Sequence, residues 1–513
     1  MIIRSPLPEI TIPELTLHQL ALARAAELGT KPALIDGPTG RVLTYAALAD
    51  GVERMATNLA ARGHRSGDVI GLAAPNSPEY ALAFLGVSRL GGVVTPMSPL
   101  ATANEMARQL TDAGATTLIT VPGLLDRVPP TVTRTYFIGQ AELRQTDAPA
   151  APDPAAPDDL VALPYSSGTT GMPKGVMLTH RNLVANVLQV GVQADVSEDE
   201  VLLGVLPFFH IYGLVVVMAL ALSRGATVVT MPRYDLAQML DLVERHRITR
   251  AMLVPPIILA LAKSRLVDGR DLSSLRIVKS GAAPLDASLA NAAAARIGAV
   301  IVQGYGMTEA SPVTNLVADA DGMRKPGSIG PLVPNTEARV VDVAGGADLG
   351  PEADGELLVR GPQVMRGYLH DPGATARTLD ADGWLHTGDV ARVDADGWFT
   401  IVDRVKELIK VRGHAVAPAE LEAVLVSHPA VRDAAVVGMH DAEAGELPRA
   451  FVVLSDPIAT DALLAWVAER VAPYKRIRSL QVVDSVPRSA SGKILRRQLV
   501  ERDPDARHSS GGR

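Results

Sequence analysis

Short apolar runs alternate with longer stretches of helical period over the first two thirds of the chain. Residues 69–72, 92–95 and 117–121 are rich in β-branched positions, whereas Tyr45–Ala61 is a long Ala/Leu-rich stretch. That alternation predicts α/β layering. The same rhythm returns at 225–230, 250–254 and 275–279, so doubly wound sheets are expected. After Glu337 the spacing tightens, with turns at Ala344-Gly345-Gly346, Asp354-Gly355, Asp382-Gly383 and Asp396-Gly397. Closely spaced strands joined by such turns predict antiparallel pairing. From Lys406 a compact α+β unit of about a hundred residues follows. Residues 147–159 are nearly all Pro, Ala and Asp and read as an exposed loop.

Residues 201–222 are apolar enough to raise the question of a membrane span, but Pro207, His210, Tyr212 and two glycines interrupt them. A histidine in lipid needs a partner the segment does not supply, so a buried strand, a turn and the start of a buried helix are expected instead.

Composition narrows the class. At 513 residues the chain is too long for one core, so at least two domains are expected. A net charge of −7, with no basic stripe, argues against a nucleic-acid surface. There is no cysteine, hence no disulfide, no thiolate metal site and no cysteine nucleophile; thiol chemistry must use a partner's sulfur. Arg4, Pro6, Glu9 and Pro13 break up the segment where a signal peptide needs an unbroken apolar run, so a cytoplasmic location is expected.

The densest candidate chemistry is the run from Tyr165 to Gly175. Ser166, Ser167, Thr169 and Thr170 supply hydroxyls, Gly168, Gly171 and Gly175 let the backbone turn tightly, and Lys174 brings a positive charge. Such a loop can grip a polyphosphate. It is not a Walker A loop, since Pro173 precedes Lys174 and Gly175 follows it. Further on, Gln303-Gly304-Tyr305-Gly306-Met307-Thr308-Glu309 places two glycines beside an aromatic ring, a hydroxyl and a carboxylate. Tyr305 could stack on a base, Thr308 could donate to phosphate, and Glu309 could hold Mg²⁺, which prefers oxygen ligands. Trp384-Leu385-His386-Thr387-Gly388-Asp389 ends in a carboxylate able to accept ribose hydroxyls. Ordinary turn chemistry is the alternative for each cluster alone. The charged junction from Val402 to Lys410 has the character of a hinge. Lys493, in Ser489-Ala490-Ser491-Gly492-Lys493, sits on a small flexible segment that could deliver an ammonium into a closing site.

In this order the clusters resemble, over nearly the whole chain, the adenylate-forming superfamily of acyl-CoA synthetases, firefly-type luciferases and peptide-synthetase adenylation domains. Within it the likeness is to 4-coumarate:CoA ligases, carried by residues 166–176, by Leu206-Pro207-Phe208-Phe209-His210-Ile211-Tyr212-Gly213, and by Gly355-Glu356-Leu357-Leu358-Val359-Arg360-Gly361. The resemblance implies a large N-terminal domain of doubly wound sheets plus a distorted antiparallel barrel (1–402), a hinge (403–406), a small mobile α+β C-terminal domain (407–504) and a disordered tail (505–513). It implies ATP, Mg²⁺ and coenzyme A as cofactors and a small carboxylic acid as substrate, joined through an acyl-adenylate.

The roles follow by resemblance. Lys493 would stabilise charge on the α-phosphate. Ser166, Ser167, Gly168, Thr169, Thr170 and Lys174 would hold the β- and γ-phosphates, Glu309 the metal and Thr308 the α-phosphate. Ala282, Gln303, Gly304 and Tyr305 would line the adenine side, and Asp389 and Arg404 would bind the ribose. Lys406 would be the hinge residue, with Lys410, Arg412 and Gly413 serving the thioester step. Tyr212, Val215, Met252, Lys279, Gly281, Ala282, Gly304, Gly306, Pro312, Val313 and Thr314 match the acid pocket, with His210 at the junction with the thiol channel. Core packing is the alternative for most of these. A flat slot lined by glycines suits a planar cinnamate or 4-coumarate better than a long chain, which would lose more conformational entropy in it.

One departure stands out: where plant members carry Phe-Gln after the glycine of the Lys-x-Lys-Gly box, this chain has His414 and Ala415 after Gly413. Alternatives are a medium-chain fatty acyl-CoA synthetase, an acyl-AMP ligase loading an acyl carrier protein, a luciferase-like oxygenase and a silent nucleotide or acyl sensor. The expected partners otherwise are small molecules, with no nucleic acid and no membrane span. A lysine acetyltransferase acting on Lys493 would be a means of control, and a monomer or dimer is expected.

Overall fold

The structure, a computed structural model, describes residues 1–139, 152–166, 173–412, 414–441, 443–489 and 492–502. The helix Tyr45–Ala61 shows how local sequence becomes fold. Thr44 caps it, its hydroxyl accepting from the Ala47 N–H, and Leu48, Val52, Met55, Ala56 and Leu59 recur at helical spacing on the buried face. Ser77, Thr102 and Thr179 start other helices in the same way.

Two eight-stranded sheets form the larger part. In the first, Leu160–Ala162, Val93–Met97, Val69–Ala73, Thr117–Thr120 and Arg134–Phe137 run parallel in that order. Lys174–Thr179 and Gly367–Tyr368 add antiparallel strands at one edge. In the second, Val300–Gly306, Ile277–Ser280, Arg250–Leu253, Val201–Gly204, Thr227–Thr230 and Pro32–Asp36 are parallel neighbours, with antiparallel strands Val313–Leu316 and Val42–Thr44 at the two edges. These are the expected doubly wound sheets. The third sheet, Ile3–Arg4, Glu337–Val341, Gly355–Arg360, Leu385–Val393 and Phe399–Arg404, is antiparallel throughout, as the turn spacing predicts.

One large apolar core runs from Leu17 to Phe399 and joins the sheets and their helices. A second, from Ile409 to Ile477, belongs to a sheet built on the long hairpin Val431–Asp441 and Gly445–Leu454. At the junction the Asp403 carboxylate accepts from the Arg404 and Ala419 N–H groups at 2.7 and 3.1 Å. Asp403 thus satisfies a free donor in the first turn of the helix Pro418–Val426.

The apolar stretch 201–222 departs from expectation in one respect. The strand Val201–Gly204 and a turn are present, but the helix begins as a π-helix, Tyr212–Ala219, and becomes α only at Leu220–Arg224. Among the described residues no helix is long and apolar enough to cross a membrane.

A buried ion network crosses the second sheet. Arg250 lies 2.5 Å from Asp319 and 3.2 Å from Glu200, and the Lys279 ammonium lies 2.5 Å from Asp319 and donates to the Val317 carbonyl. Burial pulls Lys279 down to about 8, with Asp319 opposing the shift.

Candidate active site

The parallel strands end where the candidate residues begin. Ile277–Ser280 leads into Gly281 and Ala282, Val300–Gly306 into Thr308 and Glu309, and Val201–Gly204 into the turn carrying His210. This is where open α/β sheets bind ligands. A cleft of about 3680 Å³ follows, lined among others by Ser166, His210, Gln303, Tyr305, Thr308, Asp389, Arg404 and Lys493.

At the end of the cleft expected to take the polyphosphate, Ser166 and Lys174 are register partners in an antiparallel pair. Ser167, Gly168, Thr169 and Thr170 lie outside the described residues, as do Gly413, Ser491 and the tail. The Lys174 ammonium is 3.6 Å from Asp371 and 5.1 Å from the centre of the Tyr368 ring. The buried carboxylate of Glu309 accepts from Ser166 Oγ at 2.7 Å and from the Tyr368 hydroxyl at 2.9 Å, both on Oε1. Among the described residues no hydrogen bond falls on Oε2, and no cluster of three or more His, Cys, Asp or Glu surrounds it. A single hard carboxylate beside a polyphosphate loop fits Mg²⁺, which is commonly held by one or two carboxylates plus substrate phosphates.

At the nucleoside end, the Tyr305 hydroxyl donates to Asp389 Oδ2 at 2.5 Å, and Arg404 Nε stands 3.1 Å from Oδ1. Burial raises the Asp389 carboxyl, and Arg404 and the Tyr305 hydroxyl oppose that shift. Burial, then the charge of Asp389, pushes the Tyr305 phenol well above its ordinary range. The Gln303 side chain accepts from the Leu285 N–H and donates to its carbonyl, both at 3.1 Å, fixing the edge beside Ala282. Ala282 itself has φ +70°, a conformation side chains rarely adopt.

Lys493 reaches this cleft from the C-terminal part of the chain. Its N–H donates to Ser489 Oγ at 3.2 Å, and Gly492 lies against Val254 and Pro256 of the larger part. Burial and then Arg404 hold the Lys493 ammonium below the usual lysine range, while Asp389, Glu309 and Glu407 favour its charge. The Asp389, Arg404 and Lys493 predicted from distant motifs are therefore brought together. Lys410 lines the same large cleft but is exposed, its N–H on Glu446, and Arg412 lies exposed with its N–H on the Ala444 carbonyl. Lys406 is exposed in the turn after Arg404.

His210 borders both the main cleft and a small cavity of about 10 Å³ with Tyr212, Gly213 and Ala282. Burial, then the nearby Lys493 charge, lowers its imidazole to about 4. A depressed value means that its contribution to stability is present above the ordinary 6.5 and lost as pH falls through about 4. His210 is expected to stay neutral from about pH 6 to about pH 8 by NMR titration, and its midpoint to rise in Lys493→Ala. A midpoint near the ordinary histidine value in the unmodified protein would contradict this.

The acid-pocket residues divide. The Tyr212 ring packs on Gly281, where an added Cβ would sit 2.9 Å from the ring, and its hydroxyl donates to the Lys279 carbonyl at 3.2 Å. Gly306 packs on Pro312, whose carbonyl oxygen would lie 2.0 Å from an added Cβ. Asn186 clamps Val313 through both its backbone groups. Val215, Met252 and Thr314 are fully buried. The Lys279 ammonium is engaged by Asp319, on the network described above. Sequence reasoning passed over Tyr368 and Asp371; the only local signal was the Gly367-Tyr368 step after the Gly355 box.

The family model for the AMP-binding enzyme matches residues 22–369, and that for the AMP-binding enzyme C-terminal domain matches 420–493, so both parts meeting at Lys493 are covered. The chain is 45% identical over 528 residues to 4-coumarate-CoA ligase 3 of Oryza sativa subsp. japonica, spanning 98% of this chain and 95% of that protein. It is 42% identical over 534 residues to 4-coumarate-CoA ligase 1 of Arabidopsis thaliana, spanning 97% and 95%. Among solved structures it resembles ATP-bound MatB from Rhodopseudomonas palustris, with TM-score 0.86, 30% identity and coverage of 94% and 98%. It also resembles o-succinylbenzoate CoA synthetase from Bacillus subtilis in complex with its acyl-adenylate, with TM-score 0.85, 31% identity and coverage of 96% and 99%. The chain belongs to the AMP-binding enzyme family and is an adenylate-forming acid:CoA ligase that uses ATP, Mg²⁺ and coenzyme A.

Proposed function

We propose that the acid is a planar aryl propenoate of the 4-coumarate or cinnamate class. The observation that carries this reading is the pair of glycines, Gly281 beneath the Tyr212 ring and Gly306 against the Pro312 carbonyl, which let a flat ring and a peptide pack close where a side chain would hold them off. A flat, conjugated acid loses little conformational freedom there. The near full-length likeness to plant ligases named for 4-coumarate supports the same class.

In the first half-reaction a carboxylate oxygen of the acid bonds to the α-phosphorus of ATP as the bond to the pyrophosphate oxygen breaks. Lys493 supplies charge to the α-phosphate, where it builds up, and Thr308 donates beside it. Ser166, Ser167, Gly168, Thr169, Thr170 and Lys174 hold the departing pyrophosphate. Glu309 would hold Mg²⁺, which when bound neutralises charge on the phosphate oxygens. Asp389 and Arg404 take the ribose, and Ala282, Gln303, Gly304 and Tyr305 the base. Residues 407–504 then turn about 403–406, with Lys406 as pivot, withdrawing Lys493 and bringing Lys410, Arg412 and Gly413 to the cleft. The coenzyme A sulfur bonds to the acyl carbon, AMP leaves with the electron pair, and the thiol proton passes to solvent. His210 stands at the meeting point; with Lys493 withdrawn, one of the two causes of its low basicity is gone.

The test is pyrophosphate release with ATP and Mg²⁺ across cinnamates, benzoates and fatty acids, with and without coenzyme A, the thioester being weighed. Release with 4-coumarate and a thioester only with coenzyme A is expected. Release without a thioester would shift the acceptor to a carrier protein. A preference for medium-chain acids would overturn the aryl reading. Gly281→Ala should raise KM for the aryl acid by about 10-fold or more, leaving KM for ATP unchanged. Acylation of Lys493 by a lysine acetyltransferase would neutralise its ammonium and halt the first step; mass spectra of protein from cells without modified Lys493 would remove this control.

A further inference from the structure

We infer that Tyr368 is a positioning residue for the adenylation step, joining the metal-holding carboxylate to the phosphate-loop lysine. The reading rests on Glu309 as the metal ligand, proposed above. Tyr368 is 6% exposed and pairs with Val176 in the edge strand, while the next N–H, that of Leu369, donates to the Gly175 carbonyl. Its own N–H donates to Thr375 Oγ1 at 2.9 Å. The ring is therefore fixed from both sides by backbone that also frames the polyphosphate loop.

Two properties of one side chain then act at the two ends of the cradle. The hydroxyl donates to Glu309 Oε1 at 2.9 Å, the oxygen that also receives Ser166 at 2.7 Å. Two donors on one oxygen fix the carboxylate plane, and among the described residues no hydrogen bond falls on Oε2, the oxygen that would hold the cation. The ring face carries the Lys174 ammonium at 5.1 Å, and Asp371, three residues on, stands 3.6 Å from the same ammonium. An aromatic face attracts a cation without carrying a charge of its own, and so helps to hold Lys174 at the base of the loop. Asp371 is itself fixed, accepting from the Ala374 N–H at 2.8 Å at the start of the helix Pro372–Thr378. Metal ligands held by such outer hydrogen bonds lose affinity by about 10–100-fold when the outer partner is removed.

The experiment compares Tyr368→Phe, Tyr368→Leu and Glu309→Gln in the full chain. Mn²⁺ bound in the presence of a non-hydrolysable ATP analogue is read by electron paramagnetic resonance, alongside the Mg²⁺ dependence of pyrophosphate release. Tyr368→Phe, which keeps the ring, should weaken metal binding about 10-fold and leave KM for the acid and thioester formation from supplied acyl-adenylate unchanged. Tyr368→Leu, which also removes the ring, should in addition weaken inhibition by pyrophosphate alone. Thermal unfolding of each variant checks the fold. Metal binding by Tyr368→Phe equal to that of the unmodified protein, with Glu309→Gln impaired, overturns this inference alone. Normal metal binding by Glu309→Gln overturns the ligand assignment beneath it.

Discussion

Replacing Lys493 by alanine will cut acid-dependent pyrophosphate release by on the order of 10²–10³-fold or more, while thioester formation from supplied acyl-adenylate continues. The expectation comes from where the ammonium stands. It is close enough to Arg404 and Asp389 for both charges to act on it, and its segment rests against Val254 and Pro256. A cation held there before reaction stabilises charge that appears only in the transition state. The split between the two half-reactions is decisive. A folding defect would depress both, and an ATP-binding defect would raise KM for ATP with little change in kcat. Equal loss of both half-reactions, or normal release, would remove Lys493 from the proposed role.

The second large effect lies in the fold. Asp319→Ala should destabilise the larger part of the molecule by about 3–5 kcal/mol, because it strips the carboxylate from two buried cations, Lys279 and Arg250. The pH dependence comes from Lys279, whose folded value of about 8 lies below the ordinary 10.5. Below about pH 8 the residue is charged in both states, and its burial weighs on the folded one. Between about 8 and 10.5 the folded state sheds the proton first, so the contribution to stability rises with pH across that window. The same deprotonation dissolves the Lys279–Asp319 pair, so the deficit of the variant should be smaller at about pH 9 than at about pH 7. Denaturant unfolding at the two pH values decides. A deficit that grows with pH, or none at all, would show that the network contributes nothing of the kind.

Much of the fold was legible because local pattern determines it. The helix Tyr45–Ala61 and the strands near 69, 93, 117, 250 and 277 reflect period and β-branching, which act within ten residues. Strand order was not legible: Gly367–Tyr368 pairs with Lys174–Thr179 across nearly two hundred residues, and no local signal encodes that choice. The site divides along the same line. Lysines, carboxylates and glycines could be picked out by type, but the bonds between them could not. Tyr305 reads as a stacking ring, yet its hydroxyl also donates to Asp389, 84 residues away. Lys279 falls within an acid-pocket motif, whereas its side chain pairs with Asp319; successive residues of a strand face opposite sides, so a motif read as a string mixes the two.

The π-helix Tyr212–Ala219 changes what kind of alteration can reach this site. A π-turn holds one residue more than an α-turn, and the α-helix Leu220–Arg224 continues directly from it. Deleting a single residue from the wide stretch would let the whole segment wind as α. Because a π-turn absorbs its extra residue as a local bulge, the helix beyond would keep its phase, and the change would be confined to the wide turn itself. Tyr212, which opens the wide stretch and packs on Gly281, would be the residue whose seat is altered, while Leu220–Arg224 would stay in place. Chain length, counted one residue at a time, is thus a control on the shape of this wall that an exchange of side chains does not reach.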